Sequence, residues 1–193
     1  LMKRAGCRLL CVGIESGVQH ILDQMRKRLK VDTIRQFMLD AKRAGILVHG
    51  CFLMGTPGET KETLEVTLRF AKELNPDTSQ FFPLMVYPGT EAYEWAKENG
   101  YLVTEDFSKW LTEDGLHNCM VSRPGLSSQD LVEFCDRARW EFYTRPGYLI
   151  GKLFQAMREP EERRRLLKSG RSFARHLVRA ARARSVRRER ACV

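Results

Sequence analysis

Three times in the first hundred residues an apolar run ends in a polar, glycine-bearing turn and passes straight into a segment of helical spacing. Residues 8–14 lead through Glu15-Ser16-Gly17 to 21–30. Residues 46–54 lead through Gly55-Thr56-Pro57-Gly58-Glu59 to 60–74, and 78–86 lead through Tyr87-Pro88-Gly89-Thr90 to 91–99. A further helix is expected over 32–44, where Ile34, Phe37, Met38 and Ala41 recur at helical intervals before Gly45. Strand alternating with helix implies βαβ units on a parallel sheet. The run around Cys51–Met54 reads as a strand buried on both faces, as such sheets require. Ligands of these sheets lie outside the carboxyl ends of the strands. The site is therefore expected around Glu15, Gly55 to Glu59 and Tyr87 to Thr90. Backbone N–H groups freed at the Gly55 turn would suit a carboxylate or phosphate.

Gly13-Ile14-Glu15-Ser16-Gly17, Met25-Arg26-Lys27, Gly55-Thr56-Pro57-Gly58-Glu59-Thr60 and Tyr87-Pro88-Gly89-Thr90 together resemble the later half of a radical S-adenosylmethionine (SAM) enzyme core. The nearest flavour is the cobalamin-binding group that includes the anaerobic magnesium-protoporphyrin ester cyclase and hopanoid-associated enzymes. The resemblance implies an α/β fold, the carboxyl-terminal half of a partial (β/α)6 TIM-like barrel with its strands four to six, followed by a helical extension. It implies cofactor contacts for Glu15 and Ser16 (the SAM ribose), Lys27 (the SAM carboxylate), Gly55, Pro57 and Gly58 (a segment near the adenine) and Tyr87, Pro88 and Gly89 (the adenine edge). Cys51 stands where a glycine is often found, four residues before Gly55.

The same resemblance implies SAM, a [4Fe–4S] cluster and, in this group, cobalamin as cofactors, with a 5′-deoxyadenosyl radical serving methyl transfer, cyclisation or related C–H chemistry. The implied partners are a small-molecule or lipid-like substrate and an electron donor such as flavodoxin or ferredoxin. The cluster is held in the family by a CxxxCxxC loop after the first strand. Cys7 and Cys11 have the CxxxC spacing, but no cysteine stands at position 14 and Cys11 falls within the first strand of this chain. The chain is thus expected to be the carboxyl-terminal portion of a longer enzyme and inactive alone, and no residue in it can be named as catalytic.

Residues 1–100 are expected to form the barrel half, 101–160 a mostly helical subfamily extension, and 161–193 a basic amphipathic helix and tail. The extension contains Trp110 with Asp106, Glu113 and Asp114, a segment placed to close the barrel over substrate, and a helix over 131–143 opened by Ser127-Ser128-Gln129-Asp130. Net charge is +9, and residues 161–193, with twelve Lys/Arg against three Asp/Glu, carry all of it. That tail reads as a helix packed on the body, or as a peripheral contact with an anionic membrane; nucleic acid is disfavoured because no aromatic beyond Phe173 is interleaved. Six cysteines without a disulfide-like framework, no signal peptide and no membrane-spanning stretch point to the cytoplasm.

The plainer residue readings stand beside these. Glu59 is read as a helix-start acid acting on the macrodipole, Cys51 and Cys135 as core cysteines, His49 as lying at the end of the sheet opposite the site, and His117 with Cys119 as no metal site. Two rival functions are a phosphate-binding (β/α) barrel enzyme using the Gly55 turn and a non-catalytic interaction fragment acting through the tail.

Overall fold

A computed structural model describes residues 1–110 and 118–158 and positions 163, 168 and 170. The chain divides into two units, Leu1–Phe142 and Tyr143–Val193.

In the first unit β1 (Leu9–Glu15), β2 (Leu47–Met54) and β3 (Thr78–Pro83) form a parallel sheet in the order β1-β2-β3. Cys11 lies opposite His49, and His49 opposite Thr78. Between β1 and β2 run α1 (Gln19–Gln24) and α2 (Val31–Arg43); α3 (Lys61–Leu74) joins β2 to β3. Thr60 caps α3, its hydroxyl accepting from Thr63 N–H while the Thr63 hydroxyl takes the Thr60 N–H. Asn75, in the left-handed conformation, ends that helix.

One face of the sheet is closed. Val48, Phe52, Met54 and Phe81 are buried on it, and Phe81 stacks on Phe52 at 5.2 Å and meets Phe142 at 5.9 Å. Phe142 belongs to α5 (Ser128–Tyr143), so this helix covers the same face as α3. Lys61–Asp130 at 2.8 Å, Glu65–Arg137 and Lys72–Glu141 at 2.5 Å join α3 to α5 in matching order, so the two helices run parallel. Its start is the expected one: Ser127 Oγ accepts from Asp130 N–H, and Asp130 returns the bond to Ser127 N–H.

The other face is partly open, and here the reading of β2 as buried on both sides is corrected. Burial alternates strictly along β2, with Leu47, His49, Cys51 and Leu53 only half-buried. Cys51 therefore belongs to the open face and not to the core. Three strands do not close a barrel among the described residues.

Other boundaries differ as well. The helix expected over 21–30 stops at Gln24, because Arg26 and Arg28 take positive φ (53° and 51°) and fold the chain back toward β1. The third strand ends at Pro83 rather than Val86; proline has no N–H to continue the ladder, although Leu84 N–H still reaches Met54 C=O at 2.7 Å. Thr90 then caps α4 (Glu91–Glu98). Trp110, in the segment expected to lie over the substrate, packs inward. It is buried with Leu84, Val86, Tyr93, Ala96, Met120 and Val121 in a satellite cluster, and its indole N–H donates to Thr104 C=O. Asp106 caps a single 3₁₀ turn, Phe107–Lys109; Glu113, Asp114 and His117 lie outside the described residues.

The second unit contains α6 (Pro146–Arg158), which opens on a proline, a residue suited to a first helical turn because its missing N–H is not needed there. Arg145 lies over the Tyr148 ring at 5.7 Å. Of the basic tail, only positions 163, 168 and 170 are described, all helical.

Candidate functional site

The carboxyl ends of the three strands carry the residues singled out in the sequence, but each set is used differently. Glu15, the last residue of β1, has φ +67° at an irregularity in the β1–β2 register between Gly13 and Glu15. Its carboxylate accepts from Lys27 Nζ at 2.7 Å. The left-handed residues Arg26 and Arg28 are what bring Lys27 back to that position. The pair lies across Gly13: a Cβ there would overlap Glu15 Oε1 and stand 3.1 Å from Lys27 Nζ. Glu15 is mostly covered and Lys27 is 37% exposed in its side chain, so an anionic and a cationic group are held together at one strand end.

Ser16 points elsewhere. It is fully buried, its hydroxyl is paired with Thr67 Oγ1 of α3 at 3.1 Å, and it accepts from Val18 N–H. Its work is to fix the β1–α1 turn onto α3.

The β2–α3 turn is closed by its own side chain. Glu59 is 2% exposed, and its Oε2 accepts from Gly55 N–H at 2.6 Å and Thr56 N–H at 2.8 Å. Gly55 has φ +95°, and a Cβ on it would meet Leu131 Cδ1 at 2.6 Å. The guanidinium of Arg123 straps the turn from outside, donating to Thr56 C=O and to Glu59 C=O at 2.5 Å. Burial pushes the Glu59 carboxyl above the usual carboxylate range; the Thr56 and Gly55 N–H groups, the Thr56 side chain and the Arg123 charge oppose that shift without cancelling it. Glu59 thus sits just ahead of the Thr60 cap, as a helix-start acid would, but its carboxylate is spent on the Gly55 and Thr56 N–H groups of the turn. The N–H groups expected to be free for a phosphate are already taken. Arg123 was not legible as part of this turn, because nothing local in the sequence joins a residue 64 positions downstream to it.

At the third strand end Tyr87 is exposed, Thr90 Oγ1 donates to Tyr87 C=O at 2.7 Å, and a Cβ on Gly89 would meet open space. The Tyr87-Pro88-Gly89 segment is a surface turn beside α4.

Lower on the same open face, Cys11 Sγ and Cys51 Sγ are 3.8 Å apart, and one atom each from Cys11, His49 and Cys51 lie mutually within 4.8 Å. His49 Nδ1 is 2.7 Å from Thr78 Oγ1. His49 lies near the amino end of β2, as expected, and there joins this cluster. Burial and the neighbouring Cys11 push the Cys51 thiol up to about 11. Cys135 fits its expected core role, buried with its thiol pushed up to about 12. Cys119 is buried and donates to Val121 C=O. No helix among the described residues is long and apolar enough to cross a membrane.

No protein-family model matches the chain. It is 33% identical over 154 residues to an uncharacterized methyltransferase of Pyrococcus horikoshii, covering 80% of this chain and 33% of the relative. It is 28% identical over 94 residues to the anaerobic magnesium-protoporphyrin IX monomethyl ester cyclase of Rubrivivax gelatinosus, covering 49% and 17%. It is 40% identical over 83 residues to the tRNA-2-methylthio-N(6)-dimethylallyladenosine synthase of Psychrobacter cryohalolentis, covering 42% and 17%. The chain spans a third or less of the length of each of these enzymes.

Proposed function

We propose that this chain supplies the SAM-holding strand ends of a radical SAM enzyme, with methyl transfer or cyclisation as the reaction of the whole protein. The observation that carries the reading is the Glu15–Lys27 pair at the carboxyl end of β1. A carboxylate and an ammonium side by side match a ligand that presents ribose hydroxyls and a carboxylate of its own. Gly13 leaves the room in which the pair sits. On this reading Glu15 accepts from the ribose hydroxyls and Lys27 exchanges part of its bond to Glu15 for the ligand carboxylate. The Gly55–Gly58 turn, its N–H groups held by Glu59, is a rigid wall. Tyr87, Pro88 and Gly89 offer exposed backbone to the adenine edge.

Similarity to a methyltransferase and to the cyclase of the group identified from the motifs supports the same reading. SAM, when bound and reductively cleaved, supplies a carbon radical that abstracts hydrogen from an unactivated position; this chain's residues orient the nucleoside and keep water from it. The cysteines of the chain offer no CxxxCxxC set, so the iron–sulfur ligands are assigned to another part of the enzyme. Cobalamin dependence follows only from the subgroup resemblance. A phosphate at the Gly55 turn would have to displace the buried Glu59 carboxylate, which disfavours that alternative.

The test uses the full-length protein, purified anaerobically with its cluster reconstituted, and measures 5′-deoxyadenosine released from SAM under reductant. Release that falls at least tenfold in Glu15→Ala supports the assignment; no release from a protein with an intact cluster overturns it.

A further inference from the structure

We propose that Cys11, His49 and Cys51 form a binding site for a thiophilic divalent cation, zinc in the first instance, on the open face of the parallel sheet. The three come from adjacent strands and are brought together by register alone: Cys11 faces His49 across the β1–β2 ladder, and Cys51 is two residues further along β2 on the same face. Two thiolates bound about 2.3 Å from a tetrahedral zinc stand about 3.8 Å from each other, which is the separation found between Cys11 Sγ and Cys51 Sγ. A histidine nitrogen completes a Cys2His set within the 4.8 Å span of the cluster. Thr78 Oγ1 holds His49 Nδ1 at 2.7 Å, the type of outer partner that orients metal-bound imidazoles, and leaves Nε2 to serve as ligand.

A disulfide is the competing use of two close sulfurs, and the backbone argues against it. Cys51 is displaced from the residue opposite Cys11 by two positions, roughly 7 Å along the strand. Added to the spacing between strands, this exceeds the Cα separation that a disulfide tolerates. Nor is the cluster swamped by nearby positive charge, since Lys27 is paired to Glu15 at 2.7 Å. Cys11 is exposed, which gives the ion an entry path. Three protein ligands on a half-open face leave a fourth position for water or a donor atom from a ligand, the pattern of a reactive rather than a closed zinc site.

The experiment uses the full-length protein stripped of metal under reductant and titrated with Co2+ as an optical probe, followed by competition with Zn2+. SAM plays no part in it, so its outcome is independent of the proposed SAM cleavage. The expected result is one equivalent of Co2+ with thiolate-to-metal charge transfer, displaced by Zn2+, and absent in both Cys51→Ser and Cys11→Ser. The second of these changes an exposed residue and keeps the test valid if the first misfolds. Cys7→Ser should leave the signal unchanged, and Thr78→Val should weaken binding about 10- to 100-fold. A signal that survives Cys11→Ser with the protein folded overturns the proposal, as does a Cys11–Cys51 disulfide in the peptide map of the isolated protein.

Discussion

Replacing Glu59 by alanine tests the account of the β2–α3 turn most directly. The substitution strips the partner from two buried N–H groups, those of Gly55 and Thr56. Each such loss costs about 1–3 kcal/mol, so about 2–6 kcal/mol is at stake. Relief of burying a carboxylate offsets about 1–2 kcal/mol of this, leaving about 1–4 kcal/mol. Because turn opening governs exchange, the Gly55 and Thr56 amides should lose roughly 5- to 700-fold of their hydrogen-exchange protection, read by mass spectrometry on peptides spanning 52–60 of the full-length protein. Glu59→Gln keeps an oxygen for both N–H groups and should lose less than tenfold. Its difference from wild type also carries a pH signature. The folded-state pKa of Glu59 lies above the ordinary value, so the wild-type carboxyl contributes stability that is fully present below about pH 4.3 and is lost as pH rises through the folded pKa. The glutamine variant lacks that titration and should gain on wild type as pH rises above about 4.3 and through the raised folded-state pKa. Protection in Glu59→Ala within threefold of wild type would refute the claim that this carboxylate holds the turn.

Gly13→Ala should leave stability within about 0.5 kcal/mol, because the added Cβ meets only the movable ends of Glu15 and Lys27, yet weaken SAM binding at least tenfold by calorimetry; unchanged binding would remove the pair from the site. Lys27→Met should likewise cost under about 1 kcal/mol in denaturant unfolding, since the pair is partly exposed, while raising the KM for SAM more than it lowers kcat. Trp110→Ala should cost about 3–5 kcal/mol locally, seen as faster exchange in peptides covering 84–96 and 118–126, with the β1–β2 peptides unaffected.

The sequence made the β–turn–α alternation legible because its signals are local: apolar runs, a Thr60 cap, an Asn75-Pro76 stop, a Ser127–Asp130 box. What stayed hidden is set by distant partners. Alternation in β2 was masked because His49, Cys51 and Leu53 interleave with Gly50 and Phe52 without a polar period, so the half-open face emerged only from the sheet. The shortness of α1 depends on Arg26 and Arg28 taking left-handed φ, which arginine does not advertise. Glu59 could have been suspected from its place one residue ahead of the cap, but its Arg123 strap could not. Glu15 and Lys27 were named separately from motif positions, and the structure joins them in one ion pair; Ser16, named with them, is turned inward to Thr67.

The half-open sheet also bears on how these residues reach their fold. β1 and β3 each have one edge without a strand partner among the described residues, and Leu9 is exposed at the start of the first. Unsatisfied strand edges beside apolar side chains are templates for pairing with other chains. On a ribosome or in a refolding vessel, this segment would therefore be kinetically vulnerable from the moment β1 to β3 zip together until something else docks against them. Yield at high protein concentration, more than melting temperature, would be the quantity that records it.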